Sequence, residues 1–218
     1  MRVAIDGPGG AGKTSVARAV AGNLGLECLD TGAMYRAVAA AVLRRGLDPA
    51  DGPAVAAVAR EVVGTIEVTE GAVRVETLDV TTEIRGTAVT ETVSTVAANP
   101  EVRVAMVQRQ QAWAGERHGC VMEGRDITTV VLPDAEVRVY LHAAAAVRAR
   151  RRSGESGASE AAVQAALSER DHRDSTRAHA PLRLAEGVRE IDTTDRSVAD
   201  VVGEIMQMIE EISRRDLL

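Results

Sequence analysis

The stretch that most constrains this chain is Gly7-Pro8-Gly9-Gly10-Ala11-Gly12-Lys13-Thr14, set between the apolar run Val3-Ala4-Ile5 and a helical stretch from Ser15 to Ala21. It matches the pattern G-x-x-x-x-G-K-[ST] in the strand–loop–helix context that gives the pattern meaning. Glycines let backbone N–H groups close around a phosphate, and the helix that follows adds its N-terminal dipole. In such a loop Lys13 reaches the β/γ-phosphates of a nucleoside triphosphate, and the Thr14 hydroxyl takes a position on Mg²⁺. Ser15 is a second candidate for that hydroxyl; motif geometry favours Thr14. Lys13 is also the only lysine among 26 basic side chains. A lysine is a compact charge on a flexible stem and an arginine a planar fork, so a lone lysine at this position answers a local demand.

Composition narrows what the loop serves. With 218 residues, 45% apolar and 27% charged, the chain is long enough for one sizeable core and is not a disordered sequence. A net charge of -6 disfavours nucleic acid and anionic membranes as partners. Only Tyr35, Trp113 and Tyr140 are aromatic, which leaves no stacking platform for a single strand. Two cysteines, Cys28 and Cys120, without metal-ligand spacing suit a reducing compartment. No apolar run approaches membrane-spanning length, so a cytoplasmic protein is expected.

Along the chain, strands alternate with helices. After the first helix, which stops at Gly25, a short strand spans 26–29, and Asp30-Thr31-Gly32 caps a helix from Ala33 to about Arg45. Another helix is expected over 53–63, followed by a period-two hairpin, Thr65 to Thr69 with Val73 to Glu76, and a third strand near Leu78 to Val80. Residues 82–98 read as helix broken near Gly86. The spacing of Val104, Val107, Gln111 and Trp113 predicts a longer helix over 101–117, with Trp113 in its packing. Strands at 119–122, 137–141 and 188–192, helices at 143–152 and 159–173, and a flexible Ser153–Gly157 loop come next. A last helix over 197–214 has apolar positions 201, 202, 205, 208, 209 and 212. This alternation implies an α/β fold, a parallel sheet with helices on both faces. The hairpin interrupts it as an inserted lobe.

In such a sheet the carboxyl ends of the strands form the ligand crevice. Arg36, Arg125, Arg173 and Arg177 lie where those ends and their loops gather. Arg125 sits three residues past a strand end; an ion pair with Asp126 or Asp134 is the structural alternative. In Arg170-Asp171-His172-Arg173-Asp174-Ser175-Thr176-Arg177, positions 170, 173, 174 and 177 share one helical face, three guanidiniums around one carboxylate. An anion relieves that repulsion, and phosphoryl transfer needs such an array to hold phosphates in line.

The segments Ile5–Thr14, Leu29-Asp30-Thr31-Gly32-Ala33-Met34-Tyr35-Arg36, Glu123-Gly124-Arg125-Asp126-Ile127 with Thr129–Ala135, and Arg170–Arg177 together resemble bacterial cytidylate kinases, in that family's order and roughly its spacing. The resemblance spans nearly the whole chain. It implies one kinase domain over 1–218: a P-loop three-layer fold with a five-stranded parallel sheet, core at 1–63 and 100–218. A monophosphate-binding insert would occupy about 64–99 and a short lid about 152–158. It implies ATP-dependent, Mg²⁺-requiring phosphorylation of CMP and dCMP by a protein expected to be monomeric. Carried over by position, Lys13, Arg125, Arg173 and Arg177 act in catalysis, and Arg151 joins the loop residues Gly7 through Ser15 in binding ATP. Thr31 and Tyr35 border CMP; Arg36, Arg125 and Arg177 hold its phosphate; Arg170 and Asp174 read the ribose; Ser94, Arg103 and Asp126 read cytosine. A carboxylate suits the N4 amino group of cytosine and an arginine its O2/N3 acceptors, whereas uracil would face Asp126 with an oxygen.

The chain departs from the family pattern at Thr128, where glycine is usual, and at Lys13-Thr14-Ser15, where relatives commonly have glycine directly after the lysine. Other P-loop small-molecule kinases share the loop and the arginines but not Ser94, Arg103 and Asp126. A regulatory GTP switch should carry N-K-x-D, which is absent here.

Overall fold

The computed structural model describes residues 1–215 and falls into two compact units, one of Met1–Cys28 with His118–Leu218 and one of Leu29–Arg117. In the first, β1 (Arg2–Asp6) leads into the phosphate loop and α1 (Lys13–Leu24). The strands β6 (Cys120–Gly124), β7 (Val137–His142) and β8 (Arg189–Asp192) complete its sheet. The full order is β2-β6-β1-β7-β8, with the division between units falling inside β2 (Glu27–Asp30). β1 runs parallel to both β6 and β7, and β7 parallel to β8. The central strands β1 and β6 are buried along nearly their whole length, as expected of strands covered on both faces, whereas β7 alternates buried with half-buried positions and β8 buries only Ile191. Val3, Ile5, Val121, Val139, Leu141 and Ile191 pack with Val16 and Val20 of α1. From α8 (Val198–Arg215) come Val201, Val202, Ile205 and Ile209, with Met208 and Ile212 partly buried, the stripe expected from the sequence.

Two further helices, α6 (Ala145–Ser156) and α7 (Glu160–Thr176), pack against each other in this unit. The loop expected over 153–157 is instead the last turn of α6, which ends where Gly157 adopts a left-handed φ of 71° and donates its N–H to the Ser153 carbonyl. Gly154 alone does not break the helix; the stop is the residue that can take a positive φ.

The second unit holds α2 (Thr31–Arg44), α3 (Gly52–Val62), α4 (Thr87–Ala98) and α5 (Pro100–Gly115), with a small antiparallel sheet, β3 (Glu67–Val68), β4 (Val73–Val75) and β5 (Leu78–Asp79), packed on α2. Asp30, Asp51 and Asn99 cap α2, α3 and α5 through side-chain acceptors. The boundaries expected at 64 and 99 both fall inside this unit, because α4 packs on α2 and α5 and the short sheet packs on α2. The face of α5 also differs from the sequence reading. Val102, Arg103, Met106, Gln110 and Trp113 are buried, whereas Val104 is 59% exposed. Two polar residues occupy the buried stripe, and an apolar count passes over them.

Candidate active site

The first unit builds the site from the register of its central strands. Glu123 and Gly124 lie beside Ile5 and Asp6, so the residues following β6 emerge next to the phosphate loop. That loop tolerates no side chain at its start. A Cβ on Gly7, with φ 147°, would stand 2.0 Å from the Leu141 carbonyl oxygen, and one on Gly10, with φ 78°, 2.9 Å from the backbone oxygen and Cβ of Arg148. Gly12 precedes α1 in the left-handed region without a side-chain cap, leaving the helix N-terminus to a ligand.

Lys13 is buried; its ammonium donates to the Pro8 carbonyl at 3.1 Å and lies 3.9 Å from a Glu123 carboxylate oxygen. Burial pushes this lysine down to about 7; the charge of Arg125 adds to the effect and Glu123 opposes it. Thr14 donates its hydroxyl to the other Glu123 oxygen at 2.5 Å. A hydroxyl and a carboxylate side by side, both hard oxygen donors, fit a Mg²⁺ that keeps several waters and takes its remaining ligands from phosphates. Among the described residues no three His, Cys, Asp or Glu side chains cluster as a metal site, so a resident all-protein cage is not built here.

Three arginines converge beside the loop. Arg125 donates from Nη1 to the Gly7 carbonyl at 2.5 Å and from Nε to Asp174 Oδ2 at 2.8 Å. Arg170 lies 3.8 Å from the same carboxylate oxygen, and Arg177 lies 3.6 Å from Asp126 while donating to the Ala180 carbonyl at 2.7 Å. Arg125 therefore pairs with Asp174 across 49 residues, and with neither carboxylate of its own turn. Burial pushes the Asp174 carboxyl up, but the guanidiniums of Arg125, Arg170 and Arg177 outweigh it and hold it below the usual carboxylate range. Arg173 is not in this group. Its side chain is 43% exposed and pairs with Glu169 at 3.4 Å, because on α7 the inward positions are 170 and 174, with Arg177 following at the C-cap.

Arg151 donates to the Thr193 carbonyl at 2.7 Å and to its hydroxyl at 3.1 Å, and lies 3.5 Å from the Gly10 carbonyl. Thr193 in turn donates to the Ala11 carbonyl at 3.0 Å, so Arg151 is seated on the back of the phosphate loop. Three functional contacts escape the sequence reading. Glu123 meets Thr14 only through strand register. Arg148 ion-pairs with Asp171 and donates to the Gly9 carbonyl at 3.1 Å. Asp171 also accepts from the Gly9 N–H at 3.4 Å. The one available signal was a carboxylate closing an apolar strand at 123; Arg148 and Asp171 are hidden inside charge runs.

The second unit groups the other candidates. Thr31 opens α2 and is buried, as is Tyr35 one turn on. Arg36 donates from Nη1 to the Ile84 carbonyl and to the Thr90 hydroxyl, both at 2.9 Å. Arg103 is buried, with its guanidinium 5.6 Å from the Tyr35 ring centroid and a hydrogen bond to the Ala97 carbonyl at 3.4 Å. Ser94 is buried on α4.

A phosphate loop at the head of a parallel sheet, a buried lysine within it and arginines gathered at the adjoining strand end define a P-loop enzyme of the kinase type. Solved structures agree at the level of fold. An uncharacterized protein from Eubacterium ventriosum covers 96% of this chain and is itself covered to 98%, with a TM-score of 0.58 at 11% identity. A gluconokinase from Sinorhizobium meliloti covers 98%, is covered to 94%, and has a TM-score of 0.54 at 13% identity. Sequence comparison is sharper: the cytidylate kinase family profile matches residues 3–211. Proteins named cytidylate kinase from Mycobacterium leprae and Rhodococcus opacus are 45% and 46% identical, each over 97% of this chain and 96% and 95% of theirs. The chain belongs to the cytidylate kinase family, and is thus an enzyme that uses a nucleotide phosphoryl donor.

Proposed function

We propose that this enzyme transfers the terminal phosphoryl group of ATP, with Mg²⁺, to CMP and to dCMP. The observation that carries the reading is the cluster of Arg125, Arg170 and Arg177 around Asp174 and Asp126, joined to the phosphate loop through the Gly7 carbonyl. A monophosphate oxygen, already ionised, attacks the terminal phosphorus, and the bond to the bridging oxygen breaks to release ADP; no general base is required. Catalysis then rests on positioning and on charge placed where charge develops.

In this reading the loop N–H groups, Lys13 and Arg151 hold the donor. Arg125 and Arg177 hold the acceptor phosphate, Arg170 and Asp174 the sugar, and Asp126 the cytosine amino group. Thr31, Tyr35, Arg36, Ser94 and Arg103 are assigned to the acceptor nucleotide on the family resemblance. Thr14 and Glu123 would hold Mg²⁺, which when bound would offset the negative charge of the phosphates. We also read the protein as a cytoplasmic monomer. Among the described residues no helix is long and apolar enough to cross a membrane.

The test is the Lys13→Ala variant. Phosphoryl transfer should be lost while CMP binding, followed by calorimetry, survives within a few-fold; unchanged turnover would refute the mechanism.

A further inference from the structure

Asp6, the last residue of β1, is a fully buried carboxylate to which the proposed mechanism gives no work. Its oxygens accept three hydrogen bonds, all from two consecutive residues. The Ile127 N–H donates to Oδ1 at 2.9 Å, and the Thr128 N–H and hydroxyl donate to Oδ2 at 2.8 and 2.6 Å. Burial pushes this carboxyl up, as does the charge of Asp126, and the Thr128 hydroxyl is foremost among the hydrogen bonds that oppose the shift.

Those donors belong to a single π-helical turn, Ile127–Val131, that begins directly after Asp126. The Asp126 carbonyl accepts from the N–H groups of both Val130 (2.9 Å) and Val131 (3.2 Å), and the Ile127 carbonyl accepts from Leu132 at 2.8 Å. The backbone of Asp126 is therefore fixed by the turn, and the turn is fixed by Asp6. One residue further along, the Gly7 carbonyl receives Arg125. The consecutive residues Asp6 and Gly7 thus hold the acceptor-binding segment, Asp6 by its side chain at Ile127 and Thr128 and Gly7 by its carbonyl at Arg125. The threonine fits without strain: Glu76 and Ala180 are the non-glycine residues with positive φ among the described residues, and Thr128 is not one of them.

We infer that Thr128 is a positioning residue for the acceptor: its hydroxyl ties the 127–131 turn to Asp6 and so sets the placement of Arg125 and Asp126. A purely backbone clasp would leave Oδ2 with one donor. The hydroxyl adds a second bond to Oδ2 in a fully buried site, where hydrogen bonds are strongest. It restrains the turn against rotation about the Asp6 carboxylate, and small displacements of a phosphate-holding arginine carry large rate penalties.

The inference rests on the proposed CMP activity, and the experiment separates the two. Steady-state parameters for CMP and for ATP are measured for Thr128→Val, Thr128→Ser and, as a reference, Asp126→Asn, with thermal melts of each. Thr128→Val removes the hydroxyl at nearly constant volume. It should lower kcat/KM for CMP about tenfold or more, as expected for losing a bond to a buried carboxylate, with KM for ATP changed less than about twofold. Thr128→Ser should restore CMP parameters to within about threefold of the parent. Unaltered CMP parameters in Thr128→Val, equal losses for both substrates, or failure of serine to rescue would each overturn the positioning role. If Thr128→Val does not fold, Thr128→Ala and Thr128→Gly carry the same comparison with serine. Should Asp126→Asn leave CMP parameters untouched, the acceptor assignment itself fails, whatever position 128 does.

Discussion

Binding of the donor nucleotide should draw a proton from solution, and Lys13 is the group that takes it up. Burial in the loop, reinforced by Arg125, lowers its ammonium to about 7, against about 10.4 for a free lysine. At pH 8 roughly nine-tenths of the unliganded protein would then hold Lys13 neutral. A polyphosphate within a few ångströms favours the charged form and returns the lysine toward its ordinary value. Nucleotide phosphates are almost fully ionised at this pH, their second pKa being near 6, and contribute little. Uptake should therefore be about 0.9 proton per MgATP bound at pH 8, about 0.5 at pH 7 and about 0.1 at pH 6. Donor affinity should correspondingly fall up to about tenfold per pH unit above pH 8. Calorimetry in buffers of different ionisation enthalpy at one pH reads the uptake directly, with Lys13→Met as the control that abolishes it. The sign carries over to stability. The folded protein binds fewer protons than the unfolded chain between about pH 7 and 10.4, so the penalty of burying Lys13 is complete below pH 7 and fades as pH rises through that window. Lys13→Met should thus melt higher than the parent at neutral pH. Uptake below about 0.3 proton at pH 8, or equal uptake by the methionine variant, would refute the reasoning.

Other expectations follow from single contacts. Glu123→Gln should raise the Mg²⁺ concentration for half-maximal turnover about tenfold or more, since Thr14 would lose its anionic partner; an unchanged Mg²⁺ titration would remove Glu123 from the metal side. Asp174→Asn should destabilise the fold by about 3 kcal/mol at pH 7, because it leaves Arg125 buried without its carboxylate. The Asp174 carboxyl is held below its unfolded value, so its contribution is present above about pH 4 and lost as pH falls through the folded value. Denaturant melts of parent and variant should accordingly converge in acid. Arg173→Ala should change kcat/KM by less than about twofold, as befits an exposed i,i+4 pair, whereas Arg177→Ala should cost about a hundredfold; comparable losses in the two would restore Arg173 to the site.

The phosphate loop, the βα alternation, the hairpin and the buried stripe of α8 were legible because each is written locally, as a motif or a period. What escaped was set by contacts distant in sequence or by buried polar groups. Arg103 and Gln110 lie on the inner face of α5, so counting apolar residues rotated that helix and turned Val104 inward. Arg173 shares a rough helical face with Arg170, yet only Arg170 and Asp174, one turn apart, reach the cluster from α7, and Arg177 joins them from the extended residue that ends the helix. Glu123 comes to Thr14 through the register of β6 on β1, and Asp6 comes to Thr128 across 122 residues. No local pattern announces either pair.

The central claim is the identity of the acceptor. Initial rates of phosphoryl transfer from MgATP, measured on the purified protein with CMP, dCMP, UMP and AMP in parallel, address it most directly. CMP and dCMP should be used with kcat/KM at least about a hundredfold above UMP, because Asp126 accepts from an amino group that uracil lacks, and should also be preferred to AMP. A clear preference for UMP or AMP, or no transfer to any of the four, would contradict it.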